Sequence, residues 1–334
     1  MTTKTNNKFK TPLAFGVVVL GLAAVFYWSV LSGGLKIGPV QLLRGLFLAY
    51  DKDVAIVYDL RFPRILIAML GGGIMAVSGV LLQAVMRNPL AEPGIIGISS
   101  GAAFAAALTA AFAPSLSVLT PVFSFAGGMC AFCLVYVLAW NKGLSPLRII
   151  LVGIAVNTLF SGLSAAFGAM TGGRFTGAEA IVNANIQLKS WADVKVLAVY
   201  TLLGLVLCVF AVRHCNLLAL SDETVGALGV NVNRARILIS VLSVLLASVF
   251  TSIVGPVSFL GLIVPHIGRL LVGSDHKRLL PFSFLAGALV FLTADTIGRT
   301  VAYPYEINAS ILMAVIGGPV LIILLRRSRR LYGI

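Results

Sequence analysis

The chain alternates long apolar runs with short polar breaks. Runs at about 13–32, 63–86, 94–112, 119–140, 146–170, 194–212, 236–254, 258–271, 279–298 and 307–325 each read as a hydrophobic helix. Most reach the roughly 20 residues that a helix needs to cross a bilayer. The eighth is too short to cross fully; it follows Gly255-Pro256 and contains Pro265. The sharpest break is "RNPLAEPGIIGISSGAA", from Arg87 to Ala103, which sets an Arg, a Glu, two prolines and a run of small residues between two apolar runs. A second stretch, "VGPVSFLGLIVPHIG", echoes it after the seventh run. An inverted repeat would place the two at opposite membrane faces.

Composition agrees with the pattern. Of 334 residues, 59% are hydrophobic and 11% charged, and the mean hydropathy is +1.02. A soluble fold cannot hide that much apolar surface. The fold class is therefore all-α, a polytopic membrane protein of about ten helices forming one domain over 1–334. An even number of passes puts both termini on one side. The net charge of +14 does not point to nucleic acid, because the basic residues sit singly or in small groups at the ends of runs. They choose the side instead. With both termini cytoplasmic, 16 of the 25 basic residues face inward, including Lys4, Lys8, Lys10, Arg87, Lys142, Arg148 and the cluster Arg326, Arg327, Arg329 and Arg330. The outer segments then hold Asp51, Asp53, Asp59, Glu179, Asp193, Asp295 and Glu306. Residues 1–12 form a cytoplasmic tail, and no small-residue cleavage site follows the first run, which reads as an uncleaved span.

The longest cytoplasmic loop, 213–235, contains a small helix. Ser221 is an N-cap, Asp222 and Glu223 occupy the first turn, Val225 and Leu228 share a face, and Gly229 ends it; the chain re-enters a helix after Asn233. As a connector it is long; as a rigid knob it could dock a partner. On the outer side, "LRFPRIL" places Arg61 and Arg64 three apart at a helix start, with Pro63 in the first turn. Arg299 lies at the outer end of the ninth run. Snorkelling explains many such arginines, and a local pair with Asp295 explains Arg299. An outward basic cluster could also receive carboxylates of an extracellular partner.

Other chemistry is sparse. Cys130, Cys133, Cys208 and Cys215 lie in or beside apolar runs and read as small packing residues. His214, His266 and His276 are scattered and form no metal site. "GGGIMAVSG" from Gly71 allows close helix approach. No GxxxxGK[ST] or HExxH occurs. Few carboxylates fall at membrane depth, where ion-coupled carriers keep them. Energy for transport is then supplied from outside the chain.

Four collinear stretches together resemble one family: "RFPRILIAMLGGGIMAVSGVLLQAVMRNPLAEPGIIGISSGAA", "LALSDETVGALGVNVNRAR", "GPVSFLGLIVPHIGRLLVGSDHKRLLP" and "ADTIGRT". They are similar to the FecCD-type permeases of ABC importers for iron–siderophore complexes, haem and vitamin B12. The resemblance runs from about residue 60 to the C-terminus. It implies ten spans and a second permease, a copy or a paralogue, alongside. It implies a cytoplasmic ATPase dimer on the loop corresponding to 215–232, and an extracellular substrate-binding protein docked on Arg61, Arg64 and Arg299. It implies a cytoplasmic gate at Asn88, Pro89 and Leu90, and a pathway lined near Asn157. It implies neither cofactor nor catalytic residue. The chain departs from the family's pattern in "NANIQLKSWADV", which keeps Trp191, and in "EINASI", which keeps Glu306 but lacks the Pro and Gly.

The function expected is permease of an ABC importer for a ferric–siderophore complex, with haem or a corrinoid as the alternative cargo. An ion-coupled carrier and an intramembrane enzyme using His266 or Asp295 are the readings from other classes.

Overall fold

The structure, a computed structural model, describes residues 7–33, 35, 37–48, 50–139, 146–172, 174–187 and 189–332. Lys4 and Lys142 of the charge argument lie outside these residues. The helices are α1 (Asn7–Leu31), α2 (Pro39–Phe47), α3 (Lys52–Met86), α4 (Ile98–Phe112), α5 (Thr120–Ala139), α6 (Pro146–Thr171), α7 (Thr176–Val182), α8 (Trp191–Leu217), α9 (Asp222–Ala227), α10 (Val232–Val254), α11 (Leu260–Val272), α12 (His276–Thr300) and α13 (Ala309–Tyr332), with a 3₁₀ turn at Pro114–Leu119. The fold is all-α and polytopic. Among the described residues, seven segments are long and apolar enough to cross a membrane. The runs expected at 94–112 and 258–271 appear as the shorter apolar helices Ile98–Phe112 and Leu260–Val272, and the run at 307–325 falls on α13.

The shortening of two of them has one cause. Pro89, Pro93 and the Gly94 and Gly97 backbones keep 88–97 out of a helix, and Gly255-Pro256 does the same for 255–259. The second break ends on Phe259, which caps α11 in the left-handed region at φ 70. The two breaks start at opposite ends of the bundle. Met86 closes α3 beside α9, while Gly255 packs on Ile181 and Ala184 at the far end. They then meet: a Cβ on Gly94 would lie 3.2 Å from the Ser258 hydroxyl.

α3 is the pillar. At 1.5 Å per residue its 35 residues span about 52 Å, and 83% of its most apolar window is buried within the protein. It packs on α1, α8, α10, α11 and α12. "GGGIMAVSG" makes this possible. A Cβ on Gly72 would stand 2.5 Å from the Gly287 carbonyl of α12, and one on Gly79 would overlap the Gly261 carbonyl of α11. On the next face Ser78 Oγ donates to the Ser243 carbonyl at 2.7 Å and Ser243 Oγ to the Ser78 carbonyl at 2.8 Å, fastening α3 to α10.

Four boundaries differ from expectation. α3 begins at Lys52, eleven residues early, because the Asp51 side chain accepts from the Asp53 and Val54 amides and caps it. Pro63 is therefore inside the helix, not in its first turn. α8 runs on to Leu217, so the loop around α9 spans 218–231 and not 213–235. Asn231, not Asn233, caps α10 by accepting from the Arg234 amide at 3.0 Å. The stretches 33–62 and 171–193 also hold two short helices, α2 and α7, that the apolar pattern did not announce.

A side chain on Gly79 has nowhere to go, so Gly79→Val should cost about 1–3 kcal/mol or more. Gly162→Ala in α6, where nothing lies within 4 Å, should be neutral or stabilising by about 0.5–1 kcal/mol. Thermal unfolding of the detergent-solubilised protein distinguishes the two.

Candidate functional site

The residues singled out in the sequence gather at the two ends of α3. Arg64 and Arg87 are 23 residues apart, about 34 Å along the helix, which is close to one hydrocarbon thickness.

At the first end Arg64 and Arg299 meet on Asp295, and Arg61 binds the chain that follows α1. Arg64 grips Asp295 with Nε at 3.0 Å and Nη2 at 2.8 Å, and its Nη1 donates to Glu306 at 2.7 Å. Arg64 is 8% exposed and Asp295 1%. Arg299 Nε approaches the same carboxylate at 3.7 Å, and its Nη1 and Nη2 donate to the Ser32 and Ser29 carbonyls of the α1 end. Arg61 is half-buried and donates to the Val30 carbonyl at 3.0 Å and the Leu35 carbonyl at 2.6 Å. The network ties α1, α3, α12 and the segment before α13. Asp295 thus does more than answer Arg299 one turn on: its principal partner is Arg64, 231 residues away. Glu306 is the residue that sequence reasoning left without a role. Only its place as the kept Glu of "EINASI" marked it. Trp191 packs on Tyr58 of α3, ring centres 4.9 Å apart, at this same end.

At the second end lies the opening of the 87–97 connection. Arg87 ends α3 in the left-handed region, φ 47. Its guanidinium reaches the α9 loop, donating from Nε to the Leu218 carbonyl at 2.7 Å and from Nη2 to the Leu220 carbonyl, and pairing through Nη2 with Asp222 at 2.7 Å. Arg236 of α10 meets the same Asp222 oxygen at 3.0 Å. Asn88 is buried and folds its side chain back, accepting from the Leu90 amide at 3.0 Å; Pro89 is exposed and Leu90 half-buried. α9 has the expected form. Ser221 accepts from the Thr224 amide, Asp222 and Glu223 fill the first turn, and Gly229 is left-handed at φ 75. Val225 and Leu228 do not share a face. The helix ends at Ala227, so Val225 is 0% exposed and Leu228, already in the cap, is 60% exposed.

Asn157 of α6 lies at the far end of the same connection. Its amide nitrogen is 3.0 Å from where a Gly97 Cβ would stand, and Gly153 packs on Ile95 and Ile96. Asp275 caps α12 and accepts from Asn216 of α8 at 2.8 Å. The Lys277 amide and the Asn216 side chain hold its carboxyl below the usual carboxylate range. Among the described residues, no three His, Cys, Asp or Glu side chains are grouped to hold a metal.

The described residues form a polytopic helical bundle with a short capped helix in the loop at one end. The profile of the FecCD transport family matches residues 21–327, and the chain belongs to that family. It is similar to proteins named "Probable heme-iron transport system permease protein IsdF" from Staphylococcus aureus strains RF122 and MSSA476. Both are 39% identical over 323 residues, 97% of this chain and 98% of theirs. It is similar in fold to a metal-chelate type ABC transporter solved in an inward-facing conformation, with TM-score 0.75, 31% identity, and coverage of 95% of this chain and 99% of that one. PsaBC from Streptococcus pneumoniae, solved with a Fab, shares the fold at TM-score 0.55 and 17% identity, covering 85% of this chain and 94% of that one.

Removing Arg64 leaves Asp295 buried with little compensation. Arg64→Ala should therefore cost about 3–5 kcal/mol, whereas the double replacement Arg64→Met with Asp295→Leu should recover most of it. Denaturant unfolding of the three variants tests this.

Proposed function

We propose that this chain is the permease subunit of an ABC importer that moves haem iron across the cell membrane. The observation that carries this is the 39% identity, over nearly the full length of both chains, to permeases named for heme-iron transport. The ferric–siderophore cargo expected from the sequence gives way to its alternative on that ground. The chain carries no nucleotide-binding loop, so ATP hydrolysis falls to a partner ATPase dimer. A substrate-binding protein and a second permease copy or paralogue complete the assembly.

The sidedness follows from charge. With both termini cytoplasmic, α9 and the Asn88–Leu90 turn face the ATPases, and the arginine network faces the binding protein. Of the three arginines, Arg61 is the most available to an incoming carboxylate, because its partners are two neutral carbonyls. Arg64 and Arg299 are engaged with Asp295 and position the surface that Arg61 presents.

Force from the ATPases enters at Ser221–Gly229. Asp222 transmits it, since one carboxylate oxygen holds both Arg87 at the gate and Arg236 on α10. A shift of α9 therefore pulls directly on the first residue of the gate connection. Asn157, seated on Gly97, lines the pathway where that connection ends. The protein contributes a shaped path and a moving turn; no bond is made or broken in it.

ATP-driven uptake by the reconstituted transporter, with its binding protein, should accumulate haem. Accumulation of a ferric siderophore with haem excluded would overturn the cargo. Arg87→Ala removes a half-exposed pair, so it should leave stability within about 1 kcal/mol yet lower haem-stimulated ATP hydrolysis several-fold; an unchanged rate would remove Asp222 from the coupling route. Arg61→Glu should weaken binding-protein association about tenfold or more, read by co-purification or interferometry.

A further inference from the structure

Glu92 is the one carboxyl in the gate connection. It is 0% exposed, and neither Oε1 nor Oε2 has a hydrogen-bond partner. Its Cγ lies 3.3 Å from where a Cβ on Gly261 would stand, in the first turn of α11. The Phe259 amide that opens that turn is the polar group that acts on it. No charged side chain faces it. α3 offers Gln83, whose Nε2 donates to the Gly261 carbonyl at 3.1 Å. α4 and the 255–259 break carry no charge. His266 and Arg269 sit five and eight residues past Gly261 on α11, about 8 and about 12 Å along the axis, and Arg87 turns away to α9.

An ionised carboxylate in such a place costs several kcal/mol. The start of a helix returns at most about 2 kcal/mol. The proton wins: a buried carboxyl without a cation becomes neutral.

We propose that Glu92 is a positioning residue of the transport cycle, protonated while the 88–97 connection rests on the start of α11 and ionised when that connection swings away into water. The O–H proton leaves to the water that enters, and returns from water when the gate closes. This rests on the reading of Asn88–Leu90 as the gate and extends it with a chemical switch. Glu92 reports whether the two breaks, one from each half of the fold, are in contact.

The sign follows from burial. Burial, opposed by the Phe259 amide, pushes the Glu92 carboxyl from its ordinary 4.5 up to about 8 in the closed arrangement. In water it returns toward its ordinary value. The preference for the closed arrangement is fully present below the lower value. It erodes by up to about tenfold per pH unit through the interval and is gone above about 8. Alkaline conditions thus favour the open gate.

The test uses the complete transporter in vesicles, with the four native cysteines replaced and Leu90→Cys as the probe, comparing Glu92 with Glu92→Gln. Gln keeps the shape and stays neutral. Labelling rates at pH about 6 and about 9 should differ by roughly tenfold or more beyond the Gln background; the intrinsic pH dependence of the thiol cancels in that comparison. Identical pH dependence in both backgrounds overturns the proposal. Labelling that ignores nucleotide in both would overturn the gate reading itself, and the proposal with it. Infrared difference spectra give an independent readout. A protonated-carboxyl stretch should appear at low pH and vanish in Glu92→Gln; its persistence in the variant would assign the proton elsewhere.

Discussion

The bundle depends on backbone meeting backbone along α3. In lipid no hydrophobic drive separates helix from solvent, so association rests on van der Waals contact and internal polar bonds. Glycines at 72, 79, 261 and 287 remove the side chains that would keep α3, α11 and α12 apart. The reciprocal Ser78–Ser243 bonds use the same closeness on the α10 side. A pillar held on several sides cannot bend to pass a signal. In the proposed cycle, motion is carried by what is attached to its ends.

The two ends are built differently. At the Arg64 end, a buried carboxylate is gripped by two guanidiniums, and the helices it joins are fixed to one another. At the Arg87 end the ion pairs are half-exposed and shared through a single oxygen of Asp222. Such pairs are weak, which suits the shift proposed for α9. The 87–97 connection continues from there across three neighbours: α9 through Arg87, α11 through Glu92, and α6 through Gly97. From Ala91 onward its irregular backbone is packed within protein, the condition under which a membrane protein tolerates it.

Much of this was legible in the residues. The α9 cap, the break at Pro89 and Pro93, and the close-packing glycines each declare a local rule, and each appears as read. The echo between 88–97 and 255–259 was legible as a pattern of Pro, Gly and apolar residues. That the two touch was not, because contact between Gly94 and Ser258 depends on how far α11 is pushed into α3. Nor could the pattern reveal that Arg64 belongs to Asp295 and Glu306. The charges are separated by more than 200 residues, and spacing rules act only within a turn or two of helix. The start of α3 was missed because Asp51 caps it from within a polar stretch that hydropathy reads as loop. Leu228 was misplaced because a six-residue helix has no room to repeat a face.

The central claim is a division of labour: α3 stays fixed, and the 87–97 connection moves. Hydrogen exchange on the assembled transporter, with and without a non-hydrolysable ATP analogue, tests it directly. Amides of residues 65–86 should stay equally protected in both states, while those of 87–97 and 255–259 change together. Exchange that changes along 65–86 while 87–97 stays constant would contradict the account.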